Sequence, residues 1–165
     1  MDNDNKKCAI FLDVDGVLNN EEHCKLLADE LLGKMQYFGL MRDIGELPFD
    51  YRSCLLIQSL IKETNAYVVL SSSWRLGQKH ISALLEYADI PIRDTTPSLH
   101  KKRGDEIKAF LDEHPEISRY IIIDDDSDML PEQMKNFHLV DRKVGFTKKD
   151  YEECLEMLMN DNKIN

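Results

Sequence analysis

The chain has 165 residues, of which 42% are hydrophobic and 32% are charged, a balance typical of one globular domain rather than of a disordered chain. Its formal net charge of −10 disfavours non-specific binding to nucleic acid and to anionic membranes, because like charges repel. No apolar run approaches the roughly 18 residues that a transmembrane helix requires, and the polar start of the chain, MDNDNKK, lacks the apolar region of a secretion signal.

Four cysteines occur, at Cys8, Cys24, Cys54 and Cys154. None belongs to a C-x-x-C pair, and their neighbours in the sequence are apolar. This context predicts buried, reduced thiols. We therefore expect the protein in the cytoplasm or in another reducing compartment.

Apolar runs alternate with segments of helical spacing along the chain. The predicted strands cover residues 8–12, 67–70, 90–93, 120–123 and 137–140. The predicted helices cover about residues 51–63, 78–87, 104–112 and 131–135, and a last helix begins after Thr147, which Asp150 can join in a capping box. This order predicts an α/β fold with a central, mainly parallel five-stranded sheet, in which Pro91 indicates an edge strand.

Residues 19–50 depart from this alternation. A predicted helix over residues 21–32 is followed by three glycines and a proline: Gly33, Gly39, Gly45 and Pro48. We interpret the segment as a flap or small insertion with glycine hinges; the alternative is an ordinary long surface excursion. The polar tail, residues 160–165, is expected to fray. The expected organisation is one domain over residues 1–165.

Two aspartates follow the first predicted strand. Asp13 ends the apolar run, and Asp15 comes two positions later, directly before Gly16. Carboxylates this close repel each other, and a divalent cation is the usual means of neutralising them. One carboxylate can then attack phosphorus while the other transfers a proton. A calcium loop is excluded, because Val17 and Leu18 stand where such a loop needs an acid and a glycine.

Three further segments place polar side chains at strand ends or before a helix. The second strand ends in VVLSSSWR, in which the Ser71 or Ser72 hydroxyl can hold a phosphoryl oxygen. The segment LHKKRGDEI places three cations before a helix: Lys101, Lys102 and Arg103. The fourth strand ends in YIIIDDDSDM, which crowds four carboxylates together: Asp124, Asp125, Asp126 and Asp128. Carboxylates in this number require a cation nearby.

In this order the four segments resemble the signatures of the haloacid dehalogenase (HAD) superfamily, of which the first is h-h-h-D-x-D-G-[TV]-L. They also resemble the short, capless HAD phosphatase domains found beside RNA-repair modules. The resemblance covers the chain except residues 19–50. It implies a Rossmann-like three-layer domain in which strand one lies between strands two and four. That strand order would bring the four segments together at the carboxyl edge of the sheet.

The resemblance also implies a Mg²⁺-dependent phosphatase that forms an aspartyl phosphate. Asp13 would be the nucleophile and Asp15 the general acid and base. The phosphoryl oxygens would be held by a serine and a cation: Ser71, with Ser72 as alternate, and Arg103, with Lys102 and Lys101 as competitors. The Mg²⁺ ligands would be Asp13, the backbone carbonyl of Asp15, and one or more of Asp125, Asp124 and Asp128, in that order of preference. Asp126 is expected to face solvent.

The serines are followed by Trp74 and Arg75. Arg75 is expected to pair with an acid, because acids outnumber bases in this chain; a grip on a substrate anion is the alternative. Trp74 is expected to pack against other side chains rather than to stack on a ligand. The histidines have no metal-ligand spacing and are given no role.

A capless site is open to bulky substrates, and the net charge favours a phosphoprotein, phosphotyrosine above phosphoserine, over a polyanion. A polynucleotide or nucleotide phosphatase is the alternative. A catalytically silent binding module is the alternative from another class. The sequence does not predict an oligomeric state.

Overall fold

The structure is a computed structural model that describes residues 7–31, 49–77, 83, 85, 86 and 88–160. Five strands form one sheet: β1 (Lys7–Leu12), β2 (Tyr67–Leu70), β3 (Ile92–Thr95), β4 (Ile117–Asp124) and β5 (Phe137–Leu139). Their order across the sheet is β3-β2-β1-β4-β5, and every neighbouring pair is parallel. The parallel five-stranded sheet is therefore confirmed, and strand one lies between strands two and four as the resemblance implied.

Four α-helices are described: α1 (Glu21–Leu31), α2 (Tyr51–Thr64), α3 (Arg103–Glu113) and α4 (Lys148–Asn160). Two 3₁₀ segments, Ser73–Gly77 and Pro131–Asn136, follow β2 and precede β5. Within the described residues, no helix has the length and apolar character needed to cross a membrane.

Side chains of β1 alternate between two apolar cores, as the two-residue period of a strand requires. Cys8, Ile10 and Leu12 pack on one face with residues of α2 and α4. Ala9 and Phe11 pack on the other face with residues of α3. Both faces of the sheet are thus covered by helices, and the domain has three layers.

One predicted strand is displaced along the chain. The sequence predicts residues 90–93, whereas β3 covers Ile92–Thr95 at the edge of the sheet. Pro91 has no N–H to donate to a neighbouring strand, and the N–H of Ile90 donates to the Leu85 carbonyl at 2.8 Å. The preceding turn therefore uses the residues that the pattern assigned to the strand, and the predicted edge position is confirmed.

Several other expectations can be compared with the described residues. The capping box before α4 is confirmed: the N–H of Thr147 donates to Asp150 at 2.7 Å. Cys8, Cys54 and Cys154 are buried, as predicted, whereas Cys24 is only partly buried. The helix predicted over residues 21–32 corresponds to α1. Most of the predicted helix over residues 78–87 lies outside the described residues, as do the predicted hinges and the end of the polar tail: Gly33, Gly39, Gly45, Pro48 and residues 161–165.

Candidate active site

The carboxyl ends of three adjacent strands bring the first polar residues of the site together. Asp13 follows β1, Asp124 is the last residue of β4, and Ser71 follows β2. The N–H of Asp13 donates to the Ile123 carbonyl at 3.0 Å, and the N–H of Ser71 donates to the Leu12 carbonyl at 2.9 Å. These bonds continue the parallel ladder past β1 and set the three side chains at one edge of the sheet.

Three acids at this edge can hold a metal ion together. Asp13, Asp124 and Asp125 each offer a ligand atom, and these atoms lie within 4.8 Å of one another. Asp13 and Asp124 are buried. Burial raises the pKa of the Asp13 carboxyl to about 7, against the lowering effect of Arg103 and Ser72. Burial and the Asp13 charge raise the pKa of Asp124 to about 8.

This group of three acids fits a hard divalent cation. Its donors are carboxylate oxygens, the ligand type that Mg²⁺ prefers. Within the described residues, Oδ2 of Asp124 is buried and has no hydrogen-bond partner. The pKa values of Asp13 and Asp124 lie above the ordinary value mainly because burial disfavours the charged form of each carboxyl. A bound cation would favour the charged form of both.

Arg103, the first residue of α3, lies against two of these acids. Its Nη2 is 3.5 Å from Oδ1 of Asp13, and its Nε is 3.4 Å from Oδ2 of Asp124. Its Nη1 is buried and has no partner among the described groups. Lys101 and Lys102 are exposed, and Lys102 is the N-cap residue of α3. Of the three cations that the sequence offered, Arg103 is thus the one with an ion pair to the acids.

The two serines occupy different positions relative to Asp13. The Ser72 side chain hydrogen-bonds to the Asp13 carboxylate, which lowers the pKa of that carboxyl. The Ser71 hydroxyl is buried, and among the described groups it has no hydrogen-bond partner. Its hydrogen-bonding capacity is therefore available to a ligand.

Asp15 is exposed at the mouth of the site, and both of its carboxylate oxygens accept hydrogen bonds. Asn19 Nδ2 donates to Oδ1 at 2.7 Å, and the indole Nε1 of Trp74 donates to Oδ2 at 2.8 Å. Trp74 also packs against Phe49, with ring centroids 6.1 Å apart. Trp74 therefore packs, as predicted, and it also orients Asp15.

The acids that follow β4 differ in their surroundings. Asp125 is in the group of three and accepts hydrogen bonds from Arg142. Asp126 is exposed. Asp128 is outside that group: its Oδ2 accepts a hydrogen bond from the backbone N–H of Arg103 at 3.0 Å. The Asp128 side chain thus binds the start of α3.

A buried ion pair connects the loop after β2 to α3. Arg75 donates to Glu106 through Nη2 at 2.5 Å and to the Ser72 carbonyl through Nη1 at 2.7 Å. Glu106 also accepts from the N–H of Leu99 at 2.9 Å. The sequence-based preference for an acid partner of Arg75 agrees with this pair.

Three contact residues of the site were not assigned to it from the sequence: Asn19, Trp74 and Arg142. Asn19 follows the D-x-D-G segment closely, and an amide beside two acids is a signal that could have identified it. Trp74 and Arg142 carry no such signal, because they are 59 and 17 residues from the acids that they contact.

The comparisons with known proteins agree with this arrangement. The family model described as the HAD domain in Swiss Army Knife RNA repair proteins matches residues 9–151. A search of curated proteins found no match, and a search of solved structures found none either. The family match runs from within β1 to within α4 and so includes the parallel sheet and the strand ends that carry the acids. The chain therefore belongs to the family of HAD domains of Swiss Army Knife RNA repair proteins.

Proposed function

We propose that this protein is a Mg²⁺-dependent phosphomonoesterase in which Asp13 is the nucleophile. The observation that carries the proposal is the convergence of Asp13, Asp124 and Asp125 on one point, with Arg103 beside them. Membership of the HAD family supports the same reaction type. Carboxylates and an arginine in one cleft suit phosphoryl transfer, because that reaction depends on positioning and on neutralising charge.

The metal would be held by Asp13, Asp125 and Asp124, with the backbone carbonyl of Asp15 as the further ligand that the HAD resemblance implies. When bound, Mg²⁺ neutralises charge on the phosphoryl oxygens and on the acids themselves. Asp128 is proposed to hold the start of α3, because its carboxylate already accepts the Arg103 N–H.

The first step is attack by a carboxylate oxygen of Asp13 on phosphorus. An O–P bond forms, the bond to the leaving oxygen breaks, and Asp15 gives a proton to that oxygen. Arg103 and the serine hydroxyls hold the phosphoryl oxygens, for which Nη1 of Arg103 and the Ser71 hydroxyl are available, since neither has a hydrogen-bond partner within the described part of the chain. In the second step Asp15 takes a proton from water, which attacks phosphorus and releases Asp13.

Asn19 and Trp74 support the role of Asp15. Both oxygens of the Asp15 carboxylate accept hydrogen bonds, which fixes the orientation of the group at the mouth of the site. A proton-transfer group must lie within hydrogen-bond reach of its target, so a fixed orientation favours catalysis. The exposed position of Asp15 also leaves it accessible to a leaving group and to water.

For the substrate, the family match favours phosphorylated nucleic-acid ends, since its members are described from RNA repair proteins. The exposed Lys101 and Lys102 next to Arg103 could attract a polyanion locally. Phosphotyrosine on a protein segment, which the net charge favours, is the second candidate. A phenolic leaving group also departs more readily than an alkoxide.

The test has two stages. Hydrolysis of p-nitrophenyl phosphate is first measured with Mg²⁺ and with EDTA; no metal-dependent turnover would favour the silent binding module and reject the proposal. The value of kcat/KM is then compared for a phosphotyrosine peptide and for RNA oligonucleotides with a 3′- or 5′-phosphate, at matched ionic strength. Faster turnover of an oligonucleotide that weakens steeply with salt supports the nucleic-acid substrate; faster turnover of the peptide supports the second candidate.

A further inference from the structure

The Asp125 carboxylate contacts two residues outside the cluster of acids. Arg142 donates to its Oδ2 through Nε at 2.9 Å, and Nη2 of Arg142 lies 2.8 Å from the same oxygen. Gly16 also lies close to this carboxylate, because an added Cβ at Gly16 would come within 2.4 Å of Oδ2 and 2.5 Å of the Asp125 carboxyl carbon. The side chain of Asp125 is only 9% exposed, whereas that of Arg142 is 59% exposed.

The glycine at position 16 leaves room for the Asp125 carboxylate. Its φ of +73° lies in the left-handed region, and its missing side chain leaves the space that Asp125 occupies. The glycine of D-x-D-G is thus needed both for the turn after β1 and for the approach of an acid from the end of β4.

The loop that carries Arg142 is anchored by its backbone. The Arg142 and Lys143 carbonyls accept hydrogen bonds from the N–H groups of Glu21 and Glu22 at 2.9 and 3.0 Å, at the start of α1. The N–H of Phe146 donates to the Val17 carbonyl at 3.0 Å. The base of the Arg142 side chain is therefore fixed relative to the D-x-D-G turn, although its guanidinium is exposed.

We propose that Arg142 is a positioning residue for the metal site: it binds Oδ2 of Asp125 and so directs the carboxylate toward Asp13 and Asp124. The inference rests on the proposed Mg²⁺ site. Hydrogen bonds to a ligating carboxylate from a group that does not touch the metal commonly raise metal affinity, because they restrict the ligand to its binding orientation. Here the three acids are gathered while Arg142 occupies Oδ2, so the ion pair and the gathered arrangement exist together.

The charge of Arg142 acts in the opposite direction, since a cation repels Mg²⁺. Lys143 provides a matched control for this effect: it is the next residue, it is exposed, and its removal takes away the same charge. The structure shows Lys143 held through its backbone, by bonds to Asp141 and Glu22 that a change of its side chain leaves intact. Weaker Mg²⁺ binding by Arg142→Gln than by Lys143→Gln would therefore reflect the contact with Asp125 rather than the loss of one exposed charge.

The experiment is calorimetric titration of the substrate-free protein with MgCl₂. We expect Arg142→Gln to weaken Mg²⁺ binding about tenfold, as loss of such a supporting group commonly does. Lys143→Gln should change it less than about twofold, because exposed charges are screened. Arg142→Lys should restore only part of the loss, since an ammonium cannot provide the paired N–H donors of a guanidinium. In an Asp125→Asn background, Arg142→Gln should have no further effect, because it acts through the Asp125 carboxylate.

The outcomes distinguish a failure of the positioning role from a failure of the proposed metal site. If the wild type binds Mg²⁺ and Arg142→Gln binds it as tightly as Lys143→Gln does, the positioning role is wrong while the phosphatase proposal stands. Tighter binding by Arg142→Gln than by Lys143→Gln would show that Arg142 competes with the metal, which also overturns the role. Absence of Mg²⁺ binding by the folded wild type would reject both the metal site and the inference.

Discussion

Two pairs of carboxyl groups in this domain are largely shielded from water, but their pKa values are shifted in opposite directions. Asp13 and Asp124 lie at the strand ends, and burial raises the pKa of each, to about 7 and about 8. Asp50 lies before α2 and Asp150 in the first turn of α4. Burial alone would raise their pKa values too, but hydrogen bonds hold both below the ordinary value of 3.8.

The difference lies in the donors that each carboxylate receives. Asp50 accepts hydrogen bonds from the backbone and side chain of Arg52 and from Nδ2 of Asn20. Asp13 receives a hydrogen bond from the Ser72 side chain, Asp124 receives one from the backbone N–H of Asp126 at 3.0 Å, and the two acids share Arg103 at 3.4 to 3.5 Å. Asp50 thus receives enough donors to outweigh its burial, whereas burial outweighs the donors that Asp13 and Asp124 receive. Strongly raised pKa values of buried carboxyls at one edge of a sheet are typical of candidate functional groups.

The largest predicted effect is that of Asp13→Asn on activity. An amide cannot act as a carboxylate nucleophile, so turnover of p-nitrophenyl phosphate should fall by roughly four orders of magnitude or more. The same change removes a buried charge next to Asp124. The metal-free variant should therefore melt at an equal or higher temperature, by up to about 3 °C, which is what roughly 1 kcal/mol produces in a domain of this size.

Rates with Mg²⁺ and thermal melting in EDTA check both parts of this prediction. The exposed Asp126→Asn variant is the control, and it should leave both values near those of the wild type. A folded Asp13→Asn enzyme with near wild-type turnover would reject the nucleophile. A large fall in its metal-free melting temperature would remove the contrast with Asp50.

The second prediction concerns metal. Mg²⁺ at about 100 times its dissociation constant should stabilise the wild type by roughly 2.7 kcal/mol, because it binds only the native state. Asp125→Asn should weaken Mg²⁺ binding more than Asp126→Asn does, since Asp125 is in the group of three acids and Asp126 is exposed. Melting curves across an MgCl₂ series measure both effects. The opposite ranking of the two variants would mean that the proposed metal ligands are wrong.

The parts of the fold that local pattern determines could be predicted from the sequence. β2 was predicted at residues 67–70 and is found there, because a short β-branched run between a helix and a serine turn leaves no alternative. The start of β4 was placed three residues too late, since Arg119 and Ser118 interrupt the apolar run although they continue the strand. Pairing with β1 decides that boundary, and pairing is a tertiary property.

The candidate site divides in the same way. Asp13 and Asp124 could be identified because each directly ends an apolar strand, and the carboxyl ends of neighbouring parallel strands meet. The partner of Asp125 could not be identified, because Arg142 is in a loop without periodicity and its position depends on bonds to α1. The interaction of Asp128 with the start of α3 likewise depends on how that helix packs beside β4.

The third prediction tests Asp50, whose buried carboxylate accepts hydrogen bonds from neighbouring residues. Asp50→Ala should lower the free energy of unfolding by about 2 kcal/mol, which combines the loss of a helix N-cap with the loss of an acceptor for the buried Asn20 amide. Asp50→Asn retains a side-chain oxygen that can cap the helix and should lose about half as much. Urea unfolding in EDTA measures both variants. A loss below 0.5 kcal/mol for Asp50→Ala, on the order of a neutral surface change, would contradict the structural role of this carboxylate.

The smallest predicted effect is a pH dependence at Asp150. Burial raises the pKa of this carboxyl, but hydrogen bonds from His138 and Thr147 outweigh that effect and lower the pKa below 3.8. The unfolded chain therefore takes up the proton first as the pH falls. The stabilising effect of the charged group is complete above pH 3.8 and is lost as the pH falls through the lower pKa of the folded state.

At pH 7, Asp150→Asn should lower the free energy of unfolding by about 1 kcal/mol, the usual value of such a capping interaction. Urea unfolding of wild type and variant at pH 7, 5 and 3 measures the difference, with Glu153→Gln as the control for a neighbouring, half-exposed acid beside His138. The difference between wild type and Asp150→Asn should be equal at the two higher pH values and smaller at the lowest. A difference that grows toward low pH would mean that Asp150 is not held as a carboxylate, and the distinction between its surroundings and those of Asp13 would no longer hold.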